Sequence, residues 1–150
     1  MNNPFLADGT TRLQQWKLVR QEISQLTDPI LQIDTCLAFF KQAGLENYYL
    51  DWDQCQSWPA AWDLMWDNHF CPSGLSLAVA YTLMLCAPET FEPLRLSLVL
   101  DRHQGVHKIV VDWNNWYINY NYLDRIAKPQ LKTSLTLNEW IYSNKSWHQQ

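Results

Sequence analysis

Between Pro72 and Pro88 the chain reads PSGLSLAVAYTLMLCAP, and from Leu75 to Ala87 only Ser76 and Thr82 are polar. Such a run has no polar face to give to water, so whatever it forms must be enclosed on all sides. At about 1.5 Å rise per residue it falls well short of the ~30 Å a bilayer span requires. A central, buried helix is the reading that fits. Pro72 suits its first turn, where the missing N–H costs nothing, and Pro88 stops it. The residue placed directly before that start is Cys71.

The period changes on either side of this segment. Residues 12–26 carry Leu13, Trp16, Val19, Ile23 and Leu26 at spacings of three and four, an amphipathic helix. A second helix follows Thr27-Asp28-Pro29, with Ile30, Ile33, Leu37 and Phe40 on one stripe and Gly44 as its stop; alternatively its first half is extended and Asp34 caps a shorter helix. Ser57 and Pro59 mark the start of another, in which Trp58, Trp62 and Trp66 share a face. After Pro88, LRLSLVLD alternates strictly, putting Leu94, Leu96, Leu98 and Leu100 on one side. VHKIVVD and WYINYNY follow across short turns, giving a three-stranded antiparallel meander. Thr136 and Glu139 match a capping box before a final helix. Helices first and a meander second make the class α+β, with residues 1–11 a flexible arm and 12–150 a single domain.

Composition narrows the function classes. The net charge is −4 and no basic cluster appears, which argues against a nucleic-acid groove. The opening MNNPFLADGTTR lacks the charged and apolar regions of a secretory signal, so a soluble, cytoplasmic protein is expected, with no membrane partner. Cys36, Cys55, Cys71 and Cys86 stand 15 to 19 residues apart, without the close pairing of a zinc site, and read as free thiols; Cys86, inside the helix, reads as core. No metal or other cofactor is implied. The excess of tryptophan and tyrosine exceeds what a core of this size needs, and points to a pocket or a protein-binding surface.

A thiol at a helix N-terminus faces unpaired amides and a partial positive charge of about half a unit, which favours the nucleophilic thiolate. Such a nucleophile needs a base. Of His69, His103, His107 and His148, His107 opens the second strand of the meander. With a two-residue turn at Asn114-Asn115, it shares a face with Ile109, Val111, Ile118, Tyr120 and Tyr122, towards the helix. Lys108, Asp112, Asn119 and Asn121 fall on the other face.

This order resembles the transglutaminase-like and papain-like thiol enzymes, in which a Cys opens a buried helix, a His lies on a strand, and an Asp or Asn follows on its neighbour. The resemblance runs over residues 68–122. It implies that Cys71 is the nucleophile, His107 the base and Asn119 the orienting group, with Trp116-Tyr-Ile-Asn119 standing where the family has Trp followed by Asp. Lys108 and Ile109 depart from the small residue and aromatic that usually follow the His. Asn119 reaches His107 only if a longer turn or a bulge near Trp113–Asn115 brings it round, and Asn121 with it. The implied chemistry is acyl transfer or hydrolysis at an amide or ester carbonyl, with the Cys71 N–H as an oxyanion donor and the tryptophan face as a pocket wall.

Two bland alternatives stand beside this. Free cysteine is commonly a small core residue, and a single histidine commonly a hydrogen-bonded edge residue. The block SWPAAWDLM with Phe70-Cys71 also resembles small proteins of tailed phages, which implies a host cytoplasm or virion setting and a non-catalytic structural or interaction role. The Asn- and Tyr-rich WNNWYINYNY would then be a surface for a protein or peptide partner.

Overall fold

The computed structural model describes residues 3–46, 50–130 and 134–150. Among these, four helices precede six strands: α1 (Gly9–Gln25), α2 (Pro29–Phe40), α3 (Ala61–Asp67) and α4 (Pro72–Cys86). The strands are β1 (Arg95–Asp101), β2 (Val106–Trp113), β3 (Trp116–Ile118), β4 (Arg125–Ala127), β5 (Ser134–Ser143) and β6 (Ser146–Gln149). All pairings are antiparallel and the spatial order is β4-β3-β2-β1-β5-β6. The class is α+β.

The apolar run is α4, and every residue from Gly74 to Leu83 is buried. It packs on β1 and β2 on one side and on α1, α2 and α3 on the others. Fully enclosing a leucine or valine is worth about 1.5–3 kcal/mol, and Leu75, Leu77, Val79 and Leu83 are all fully enclosed. Its two polar residues are both used. Ser76 Oγ donates to Ile109 O at 2.7 Å, tying the helix to β2. Thr82 Oγ1 donates back to Ala78 O and accepts the Trp16 indole N–H at 3.0 Å, tying it to α1.

The meander expected from the sequence exists, but it is the middle of a larger sheet. The segment read as a final helix, TLNEWIYSN, lies within β5, hydrogen-bonded along β1. Its Thr, Leu, Trp, Ile and Tyr suit a pleated surface, and β1 would otherwise present an open edge. Trp140 stands opposite Leu96 and is fully buried; Glu139 makes no capping box but pairs with Arg95. Asn144 and Lys145, both at positive φ, form the tight turn into β6.

Smaller expectations change as well, and one pair of alternatives is decided. Near the N-terminus, Pro4–Leu6 form a 3-10 turn whose Phe5 packs on Phe39, Phe40 and Phe70, and α1 already starts at Gly9. Asp28 caps α2 with Pro29 in its first turn, while Asp34 sits mid-helix and pairs with Arg125. The tryptophan stripe does not form one face, because α3 begins only at Ala61, without a side-chain cap. Trp58 is buried against Trp140 and Trp147, whereas Trp62 and Trp66 are half exposed. Cys86, expected in the core, is only partly buried at the last turn of α4.

Trp147 anchors the late hairpin, packing on Trp58, Tyr81 and Tyr142 and donating its indole N–H to Tyr81 Oη at 3.0 Å. Trp147→Ala should destabilise the protein by about 3–5 kcal/mol in urea denaturation, while Leu137→Ala, at a half-exposed position, stays within about 1 kcal/mol. Equal effects would contradict the docking of β6 on the core.

Candidate active site

Cys71 is the N-cap of α4. Its backbone is extended (φ −103°, ψ 173°), its carbonyl accepts the first helical bond from Leu75, and its Sγ accepts the Gly74 N–H at 3.3 Å. The sulfur thus takes the place an aspartate or serine oxygen fills at other helix starts, which is where negative charge is favoured. The residue is 4% exposed.

His107 lies at the start of β2, opposite Leu100 of β1, and is exposed. Ile109, Val111 and Trp113, at alternating positions from it, belong to the core under α4, so the histidine is on the helix side of the sheet as the alternation requires. A cleft of about 320 Å³ opens there, lined by Leu50, Trp52, Ser73, Leu98, His107 and Ile109. The first turn of α4 and the histidine therefore share one cavity. Ser73, two residues after Cys71, is the helix residue on its wall. Among the described residues, no hydrogen bond joins the His107 ring to Cys71 or to any other side chain.

Asn119 corrects the expected arrangement. The turn at Asn114-Asn115 is the two-residue one, with Trp113 paired to Trp116 and Val111 to Ile118. Continued alternation would send Asn119 away from α4. Instead the strand ends at Ile118, and Asn119 takes a left-handed backbone (φ 64°), which asparagine tolerates better than most residues. That one residue exchanges the two faces. Asn119 is buried on the helix side, donating from Nδ2 to Pro72 O at 2.9 Å and to Ser76 Oγ at 2.8 Å. Its Oδ1 accepts the Leu123 N–H at 2.7 Å. Tyr120, expected beside His107, instead stacks on Tyr117 across the sheet, under the Lys108 ammonium. Asn121 is exposed and bonds Asp124 and Lys108.

Asn119 therefore positions the start of α4 and does not touch His107. The other histidines lie elsewhere: His69 pairs with Glu46 at the surface, His103 sits in the β1–β2 turn, and His148 bonds Ser146 on β6. Two of the other thiols, Cys36 and Cys86, are poor nucleophiles at neutral pH. Burial holds Cys36 well above the ordinary thiol range, and burial raises Cys86 to about 11 despite the nearby Arg20 guanidinium. Leu50, Trp52 and Ser73 escaped the sequence reading; the only trace was the aromatic, acidic character of residues 46–58.

The fold has solved counterparts. LapG of Legionella pneumophila in a calcium-bound form aligns with a TM-score of 0.73 at 10% identity, over 94% of this chain and 79% of that one. A second LapG structure gives the same values. An EGTA-treated one gives 0.71 at 11%, over 89% and 74%. At such identity the likeness is one of fold alone. No protein-family model and no curated protein sequence matches the chain. These bacterial structures lend no support to the tailed-phage resemblance. Among the described residues, no group of three or more His, Cys, Asp or Glu side chains is arranged to hold a metal ion. No described helix is long and apolar enough to cross a membrane.

The amide of Asn119 donates two bonds that a carboxylate cannot. Asn119→Asp should lower stability by about 2–4 kcal/mol, since it strips both donors and sets an oxygen against the Pro72 carbonyl. Wild-type thermal denaturation of that variant would show that the amide is not what holds α4.

Proposed function

We propose that the protein is a thiol enzyme of the cysteine-protease type, with Cys71 as nucleophile and His107 as base, acting on an amide or ester carbonyl. The observation that carries this reading is the shared cleft: Ser73, in the first turn of the helix that Cys71 caps, and His107 line the same cavity. The likeness to the LapG fold supports it.

In this mechanism His107 takes the Cys71 proton and the thiolate attacks the carbonyl carbon, moving the C=O electron pair onto oxygen. The Cys71 N–H stabilises that oxyanion. Collapse of the intermediate expels the amine or alcohol, which leaves with the proton carried by the His107 imidazolium. Water then attacks the acyl-thiol, giving its proton to His107, and the acid departs as the thiol is restored. An amine in place of water gives acyl transfer. Asn119 serves as a positioning residue for the helix start, not as the partner of the imidazole.

The competing reading is a non-catalytic protein-interaction module that keeps the fold. It draws on the near-complete enclosure of Cys71 and on the absence of an orienting partner for His107 among the described residues.

Thiol reactivity separates the two. Cys86 is the more accessible thiol, but at pH 7 a group titrating near 11 is thiolate in only about one molecule in ten thousand. An activated Cys71 should therefore be alkylated by iodoacetamide before Cys86, and His107→Gln should slow that reaction by roughly tenfold or more. Labelling of Cys86 first, with Cys71 unreactive, leaves the interaction module. Activity that survives Cys71→Ala but not Ser73→Ala would move the nucleophile to Ser73 and refute the thiol mechanism.

A further inference from the structure

The cleft beside His107 has a composition that selects its occupant. Leu98 and Ile109 line it from the sheet, joined by Leu50 and by Trp52, which is 36% exposed. Seven of the other tryptophans are stacked on an aromatic or cationic group or hydrogen-bonded through the indole. Among the described residues, Trp52 has neither kind of contact. Among the described lining residues, Ser73 brings a hydroxyl, His107 an imidazole and Trp52 its indole N–H. At about 320 Å³ the space is at the small end of ligand sites, enough for one large side chain and its peptide unit.

The chain on either side of Trp52 is acidic. Asp51 Oδ1 accepts the Asp53 N–H at 3.4 Å, and no described cation pairs with either carboxylate. These two carboxylates flank Trp52 in sequence and give the chain beside the cleft a negative charge.

We propose that this cleft receives a peptide with a large aliphatic or aromatic side chain beside the scissile carbonyl and a lysine or arginine adjacent to it. The side chain lies between Trp52 and the Leu98–Ile109 pair, and the cation faces Asp51 and Asp53. This rests on the Cys71–His107 reading for its chemistry, but not for its binding.

The test therefore reads binding apart from turnover. The full chain carrying Cys71→Ser is titrated by calorimetry with blocked tetrapeptides containing Leu-Lys, Gly-Lys or Leu-Glu at the two positions. The Leu-Lys peptide should bind at least about tenfold more tightly than either of the others. Trp52→Ala should abolish the leucine preference, and Asp51→Asn with Asp53→Asn the lysine preference. Equal binding of the Leu and Gly peptides, or a preference undiminished in Trp52→Ala, overturns the proposal. So does tighter binding of an uncharged fatty amide than of any peptide. Cleavage by the unaltered protein is scored separately. Selective binding without cleavage refutes the thiol enzyme and leaves the cleft assignment standing; cleavage indifferent to the side chain does the reverse.

Discussion

A chain of three hydrogen-bonded groups holds the molecule in register: Asn119 Nδ2 to Ser76 Oγ, and Ser76 Oγ to Ile109 O. It joins the end of β3, the second turn of α4 and the middle of β2, three pieces separated in sequence by more than forty residues at the widest. All three residues are buried, so each bond is strong and each missing one costly. Apolar packing alone would let α4 slide or rotate over the sheet, because its surface is nearly uniform in hydrophobicity all round. The polar relay removes that freedom. Cys71 and the cleft stand where they do because the helix start is fixed here.

The asparagine at the centre of the relay is also the residue that ends β3. Its left-handed backbone turns the side chain under the helix and sends Tyr120 to the opposite face, where Tyr117 and Val110 form a second small apolar cluster. One dihedral thus divides polar anchoring from aromatic cover. As the side chain stands, its amide bonds go to Pro72, Ser76 and Leu123, and none goes to His107.

How far the sequence disclosed this follows from how local each signal was. The buried helix and the alternation of β1 and β2 depend on near neighbours, and both were legible, as was the side of the sheet that His107 occupies. The fate of residues 134–149 was not. A capping-box pattern at Thr136 and Glu139 competes with strand propensity, and the open edge of β1, forty residues away, decides between them. The face of Asn119 was hidden for a related reason: alternation extrapolates only while the backbone stays extended, and a single left-handed residue reverses everything after it. The cleft was least visible of all, because Leu50 and Trp52 reach it from an irregular stretch with no period to read.

The two halves of the candidate site are opposite in environment, and that contrast governs the chemistry. Cys71 is enclosed, rigid and held by a backbone amide; His107 is exposed and, among the described residues, unrestrained. A free imidazole samples many orientations, which weakens proton transfer in the empty protein. A side chain filling the apolar cleft would exclude water from one flank of the ring and narrow that sampling, strengthening every electrostatic contact around the sulfur at the same time. The binding energy of an apolar residue would then be spent on organising the base. In an enzyme built this way the apolar cleft and the reactive pair are one device, and specificity for a large side chain is the means by which the histidine is brought to work.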